Sequence, residues 1–265
     1  TDGDSLSMAM QSGELDAVQG LPYAILPNFQ DEAKYNISSA ATSRVYQAAM
    51  NFRTPALQDN RVRKAIAMAL DKKTFVNVLL NGNGVMATGA FPDTTPYGKG
   101  LDGPEYNPEQ ARALLQEAGY TETDSDGYVT KDGRPLTLRW LTYTSRQELP
   151  LLAEYAQSAL KDIGIKLDVN ATDNYKDFLK RGEYDIYAQA IVTAPTGDPE
   201  YYLMSKIYSG QPYNNGNYSN PRTDAMINEL HNTFDAGQRI ELARRLQQQV
   251  LDDNAVWYAS FLKMN

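Results

Sequence analysis

The sequence predicts an α/β fold built on a mixed, largely parallel sheet flanked by helices, and residues 136–199 carry that prediction. Residues 136–143 are rich in β-formers, residues 149–163 place apolar side chains at helical spacing, and residues 165–170 alternate apolar with polar. A strand, a crossing helix and a second strand form a parallel pair, which helices must cover. A short helix and a third strand, residues 184–192, complete the unit.

The rest of the chain divides near residue 52. One helix and one short strand cannot bury a core, so residues 1–51 are predicted to be part of an incomplete unit, with residues 38–52 extended. The Arg53-Thr54-Pro55 break precedes a strong amphipathic helix, so residues 52–265 are predicted to form the second domain, truncated at its end. Further amphipathic helices that would cover the sheet are predicted at residues 108–118, 221–234 and 238–251, before a last strand at 255–265.

Composition excludes several classes of site. The 265 residues contain no cysteine and a single histidine, which excludes disulfides, thiolate metal sites and multi-histidine metal sites made by the protein alone. The net charge is −8 and no run of Lys or Arg stands out, so binding to nucleic acid or to an anionic membrane has little support. No apolar run is long enough to span a bilayer.

Catalytic motifs are missing as well. The sequence contains no G-x-S-x-G elbow, no P-loop and no G-x-G-x-x-G after a strand. The only histidine, His231, falls on the polar face of a predicted helix, which favours an exposed, inert side chain over a ligand or a base. A small α/β hydrolase or transferase is the alternative function. Such an enzyme needs a nucleophile–base pair, which the sequence does not provide.

Recognition features lie after the predicted parallel strands, where ligands bind in open α/β sheets. Ser145 and Arg146 follow the first strand and precede a helix N-terminus, which favours a carboxylate ligand; an Arg146–Glu148 surface pair fits the spacing equally well. Asp198 is either an acid of the cleft or the N-cap of the next helix. The predicted ligand site consists of Tyr143, Ser145, Arg146, Ala194, Pro195, Thr196, Gly197, Asp198, Tyr201 and Asn214, with no catalytic residue, no metal ligand and no cofactor.

Five stretches of the chain match one known family in the same order. They are NFRTPALQDNRVRKAIAMALDKKTFVNVLLNGNGVMATGAFP, YNPEQARALLQEAGY, DGYVTKDGRPLTLRW, APTGDPEYYL and NYSNPRTDAMINEL. They closely resemble the carboxyl-terminal lobe of the bacterial extracellular solute-binding proteins, family 5, which serve peptide and nickel ABC importers.

This resemblance implies a periplasmic-binding-protein-like fold in which two lobes enclose a ligand and deliver it to a permease in the membrane. Residues 1–51 would be the end of the first lobe, residues 51–54 the hinge and residues 52–265 most of the second lobe. It also implies a monomer without catalysis, located outside the cell as a lipoprotein or in the periplasm.

The resemblance leaves two cargoes open, a nickel chelate and a short peptide. In dipeptide binders the loop that matches APTGDP carries an Asp that pairs with the peptide's amino group, and Pro195 stands at that position here. Ala-Pro before Asp-Pro resembles the nickel branch, in which a small chelator such as histidine wraps the metal. A chelated metal also suits a chain with one histidine and no cysteine. A pheromone or cell-wall-peptide sensor on the same fold is a third alternative.

Overall fold

The computed structural model describes residues 3–21 and 23–264, which form two sheets and their flanking helices. The strands are β1 (Ala40–Met50), β2 (Gly84–Met86), β3 (Glu122–Thr123), β4 (Val129–Lys131), β5 (Arg134–Pro135), β6 (Thr137–Thr142), β7 (Lys166–Ala171), β8 (Ile186–Val192) and β9 (Val256–Met264). Six of these strands form one sheet in the order β2-β9-β1-β8-β6-β7, and β3, β4 and β5 form a small separate sheet.

The α-helices lie mainly against the two faces of the large sheet. They are α1 (Gly3–Ser12), α2 (Asn60–Ala69), α3 (Lys72–Thr74), α4 (Pro108–Glu117), α5 (Glu148–Asp162), α6 (Tyr175–Arg181), α7 (Glu200–Tyr202), α8 (Pro221–His231) and α9 (Ala236–Asp252). Helices α3 and α7 continue as π-helical turns, Phe75–Leu79 and Leu203–Ile207. Two 3-10 helices occupy Tyr23–Phe29 and Pro55–Gln58. None of the helices in the described residues is both long and apolar enough to cross a membrane.

The predicted strand–helix–strand–helix–strand unit is confirmed. It consists of β6, α5, β7, α6 and β8, and β6 pairs in parallel with both β7 and β8. The predicted helix stop is also present, because α5 ends at Asp162 and Gly164 adopts a left-handed φ of +86°.

The sheet is mixed, as predicted, but it is not largely parallel. The pairings β1–β8, β1–β9 and β2–β9 are all antiparallel, so only two of the five pairings that the described residues form in this six-stranded sheet are parallel. The reason is that β1 inserts between β8 and β9, strands about 140 and 210 residues later in the chain, and local periodicity carries no information about such distant partners.

Strand β1 buries both of its faces because it lies in the middle of the sheet. Alternate residues point to opposite faces: Tyr46 and Met50 enter the core under α2, α4 and α5, whereas Val45 and Ala49 enter the core under α8 and α9. Residues 40–50, which the sequence assigns to the first unit, therefore lie in the same six-stranded sheet as five strands of the second predicted domain. The division of the chain into two lobes stays a prediction.

Candidate functional site

The carboxyl ends of β6 and β8 meet at one edge of the sheet, as their parallel pairing requires. The first half of β1 reaches the same edge, because Arg44 lies opposite Val192 at the end of β8. The next residue, Thr193, fastens the two strands together, since its backbone N–H and its hydroxyl both donate to the carbonyl oxygen of Ser43, at 2.9 and 3.0 Å. We call this the ligand edge.

Tyr143 follows β6 at the ligand edge and is held by the end of β8. Its hydroxyl accepts the N–H of Ala190 at 3.0 Å and donates to the carbonyl oxygen of the same residue at 3.2 Å. The ring packs against Tyr175 with 4.8 Å between centroids. Burial raises the pKa of Tyr143, so the hydroxyl stays neutral at physiological pH. Tyr143 thus contributes a fixed aromatic wall.

Two arginines approach each other at this edge without a counter-ion. Arg44 and Arg146 are both half-buried, and within the described residues neither guanidinium forms a salt bridge or a side-chain hydrogen bond. Burial lowers the pKa of Arg44, and the positive charge of Arg146 lowers it further. The charge of Arg146 also acts on Tyr143. Two like charges on one surface favour a negatively charged ligand.

The alternative Arg146–Glu148 surface pair is not formed. Glu148 is only 8% exposed and lies beside the hydroxyl of Tyr46, whose pKa is raised first by burial and then by the charge of Glu148. Arg146 is therefore available to a ligand, because its nearest acid in sequence faces the protein interior.

The loop after β8 is shaped by a turn and by the carboxylate of Asp198. The turn closes through the N–H of Gly197, which donates to the carbonyl oxygen of Ala194 at 3.1 Å with a glycine φ of +80°. Asp198 accepts the N–H of Glu200 at 2.8 Å and pairs with Arg239 at 2.8 Å. The N-cap of the next helix is Pro199 and not Asp198. The carboxylate of Asp198 is nevertheless engaged within the protein, by Arg239 and by the first N–H of that helix.

The other predicted residues differ in where they lie. Ser145, Pro195, Thr196 and Tyr201 are exposed in the segments that follow β6 and β8. Asn214 does not join them.

Asn214 lies at the far edge, since its loop packs on the last residues of β1, which run opposite to β8. It is buried, and its side-chain amide donates to the carbonyl oxygens of Tyr208 and Tyr218 at 3.0 and 2.8 Å. The prediction that Asn214 shares a surface with Arg146 is therefore wrong, because the topology of β1 sends that loop to the opposite end of the sheet.

Sequence reasoning missed Arg44. The only local signal is a single arginine inside the extended run SSAATSRVYQAAMNF, and its neighbours at the edge come from residues about 100 to 150 positions later. The ligand edge therefore offers guanidinium groups, aromatic surface and backbone polar groups. Within the described residues, no group of three or more His, Asp or Glu side chains is arranged to hold a metal ion.

Comparison with known proteins assigns the chain to a family. The family model "Bacterial extracellular solute-binding proteins, family 5 Middle" matches residues 1–214. The nickel-binding protein NikA of Staphylococcus aureus is 27% identical over 239 residues, 90% of this chain and 46% of its own length. The oligopeptide-binding protein AppA of Bacillus subtilis is 26% identical over 238 residues, 85% of this chain and 43% of its own length.

Solved structures agree with the fold. The crystal structure of a nickel ABC transporter protein from Bacillus halodurans superposes with a TM-score of 0.89 at 27% identity, covering 99% of this chain and 55% of that one. This similarity confirms the predicted periplasmic-binding-protein-like fold. The chain spans about half the length of the curated relatives it matches. It belongs to the bacterial extracellular solute-binding proteins of family 5.

Proposed function

We propose that this chain is part of the substrate-binding component of an ABC importer, which captures a nickel chelate or a short peptide outside the cell and delivers it to a membrane permease. The observation that carries the proposal is the pair of arginines, Arg44 and Arg146, which face the ligand edge without a carboxylate partner among the described residues. Charged hydrogen bonds from guanidinium to carboxylate are the strong, orienting kind.

A nickel chelate is the first candidate cargo. The metal would arrive with its own ligands, so the protein would contact the carboxylates of the chelator through Arg44 and Arg146 and its apolar surface through Tyr143. The described residues contain no cluster of metal ligands, which suits a metal that is already coordinated. The S. aureus relative NikA has been crystallised with Ni(L-His)2, at 25% identity to this chain.

A short peptide is the second candidate, and the same arginines support it. A peptide also ends in a carboxylate, and the B. subtilis relative is an oligopeptide-binding protein. Against a free-amine peptide stands the loop after β8. Pro195 occupies the position at which dipeptide binders are expected to carry an acid, and the nearby Asp198 is paired with Arg239.

The enzymatic alternative has less support. The single histidine, His231, is 64% exposed at its side chain and pairs with Glu200, with 2.5 Å between Nδ1 and Oε1. The hydrogen bond that the described residues show for its ring goes to Glu200 and not to a serine. A binding role fits the arrangement better, with the protein acting as an extracellular monomer, either lipid-anchored or periplasmic, that closes two lobes around its cargo.

Calorimetric titration of the full-length protein tests this proposal. The panel is nickel with histidine, histidine alone, nickel alone, a dipeptide and a nonapeptide, preceded by native mass spectrometry of the protein as purified. Tight binding of nickel only when histidine is present would identify a chelate importer. Tight binding of peptides with no response to the chelate would replace nickel with peptide, and the absence of binding to any of them would contradict the proposal.

A further inference from the structure

A polar cleft lies at the edge of the sheet opposite to the ligand edge, between α6 and the loop at residues 208–220. Its volume is about 780 Å³. None of its lining residues carries a carboxylate. Four cationic side chains line it: Arg53, Lys176, Lys180 and Arg181. Of these four, only Arg181 forms a salt bridge within the described residues, with Glu183 at 2.9 Å.

A fifth cation, Lys206, lies next to Tyr213, just beyond the residues that line this cleft. With Gln189 it lines a separate small pocket of about 10 Å³ that shares Tyr213 with the main cleft. The ammonium of Lys206 is half-buried, donates to Oε1 of Gln189 at 3.3 Å and lies 5.4 Å from the centre of the Tyr213 ring. An ammonium has three N–H donors, so this one long hydrogen bond leaves donors free for a ligand.

Burial lowers the pKa of Lys206 to about 8. No carboxylate of the described chain lies within salt-bridge distance to oppose this shift. A partly buried ammonium without a counter-ion is costly, and a bound anion would remove that cost.

The helix dipole of α6 explains the presence of only some of these cationic side chains. Lys180 and Arg181 occupy the last turn of α6, where cations compensate the negative end of the helix dipole. Arg53 and Lys206 come from other segments, so the dipole of α6 does not account for them. The chain as a whole carries a net charge of −8, which makes a carboxylate-free cationic cleft a local exception.

We propose that this cleft is a second binding site, separate from the cargo site, for a small anion with two or more negative charges on phosphate or carboxylate groups. The exposed ring of Tyr213 turns aside so that Lys206 binds one anionic group, and Arg53 with the lysines of α6 binds the rest. The ring of Tyr213, 65% exposed, forms part of the wall and leaves the cleft open to solvent.

The first test is calorimetric titration of the full-length protein with inorganic pyrophosphate and with citrate at low ionic strength. Lys206→Gln is expected to weaken binding by about tenfold or more, since a charged hydrogen-bond partner is lost. Arg53→Gln, an exposed position that leaves the fold undisturbed, is expected to weaken binding as well. The control is Lys64→Gln, an exposed lysine of α2 outside the cleft.

The outcomes separate the two sites. Pyrophosphate that still binds to Arg44→Gln and Arg146→Gln but not to Lys206→Gln supports the proposal. If Lys206→Gln binds both anions as well as the wild type, or if the wild type binds neither, the proposal is wrong. Binding that is lost only in Arg44→Gln and Arg146→Gln would assign the anion to the ligand edge instead.

Amine labelling provides a second readout that does not depend on substitution. At pH 8 acetic anhydride should acetylate Lys206 faster than Lys64 relative to their accessibility, because a lowered pKa leaves more free amine. Pyrophosphate is expected to slow acetylation at Lys206 and leave Lys64 unchanged, as measured by peptide mass spectrometry. Equal rates at Lys206 with and without pyrophosphate would overturn the assignment.

Discussion

Arg239 of α9 holds Asp198 of the loop after β8 by hydrogen bonds from Nη2 to both carboxylate oxygens, at 3.0 and 2.8 Å. The same nitrogen reaches Glu200 at 3.3 Å, and Nη1 donates to the carbonyl oxygens of Leu230 and Thr233 at 2.7 and 2.8 Å. The Arg239 side chain is 14% exposed. The guanidinium of Arg239 therefore connects the loop after β8 to the end of α8 and to α9.

Replacing this guanidinium is expected to destabilise the protein. Arg239→Met removes the guanidinium donor from Asp198 and from the carbonyl oxygens of Leu230 and Thr233, and losing such charged hydrogen bonds costs about 1–3 kcal/mol. Urea denaturation followed by circular dichroism measures the change in the free energy of unfolding. The matched control is Arg244→Met on the same helix, whose pairing with Glu241 is exposed to solvent and is expected to contribute nothing measurable. Equal losses in the two variants would contradict the role given to Arg239.

Binding and stability should respond in opposite ways at the arginine pair. Arg44→Gln and Arg146→Gln are each expected to weaken binding of nickel–histidine or peptide by roughly ten- to a hundredfold, because one charged hydrogen bond is worth about 1.5–3 kcal/mol. Each substitution also removes the repulsion that lowers the pKa of Arg44, so the unliganded protein should be as stable as the wild type or more stable.

Calorimetry and thermal unfolding of the same variants measure the two effects separately. Arg134→Gln, at an exposed position in the small sheet, is the control for a lost positive charge. A variant that loses binding and stability together would indicate that its arginine is structural.

The β6–α5–β7–α6–β8 unit could be predicted because each of its signals is local. Alternation along Lys166–Ala171, the apolar stripe of Glu148–Asp162 and the stop at Gly164 each depend on residues within one element. The antiparallel half of the sheet could not be predicted in this way. Met50 pairs with Ile186, and no pattern within β1 names a partner so far along the chain.

The residues of the candidate site differ in the same way: some were predictable from local sequence and others were not. Tyr143 and Arg146 were predictable because they directly follow a recognisable strand. Arg44 was not, because its position at the edge depends on the pairing of β1 with β8. Asn214 was placed wrongly, since a polar loop composition indicates a surface but not which end of the sheet that surface occupies.

Gly164 is expected to tolerate a side chain less well than Gly127, although the two glycines have nearly the same φ. Gly164 has a φ of +86° and Gly127 has one of +88°, so an alanine at either position pays about 1–2 kcal/mol for the left-handed conformation. At Gly164 the new Cβ would also lie 2.6 Å from Cγ1 and 3.2 Å from the backbone nitrogen of Val129, whereas at Gly127 nothing lies within 4 Å. Urea denaturation should therefore give a loss for Gly164→Ala that exceeds that of Gly127→Ala by about 1–3 kcal/mol. Similar losses would mean that the β4 hairpin moves away from Gly164 at little cost.

The carboxylate of Asp185 should make the free energy of unfolding decrease as the pH falls into the acidic range. Its carboxylate accepts two hydrogen bonds from the side chain of Arg139 at 3.0 Å, one from the Arg139 backbone at 2.8 Å and one from Thr54 at 2.7 Å. Burial alone would raise the pKa of Asp185, but the hydrogen bonds from Arg139 and Thr54 outweigh it and lower the pKa.

A carboxyl whose pKa is lower in the folded state stabilises the protein above its unfolded-state pKa of about 3.9, and this contribution disappears as the pH falls through the folded-state value. Asp185→Asn is therefore expected to cost about 1–3 kcal/mol at pH 7, and its stability should approach that of the wild type below pH 4. Urea denaturation at intervals from pH 2.5 to 7 measures the two curves. Asp168→Asn, at an exposed position beside Arg139 on β7, is the control and should follow the wild type throughout. A constant difference between Asp185→Asn and the wild type down to pH 2.5 would show that the ionised carboxylate is not what joins β8 to β6.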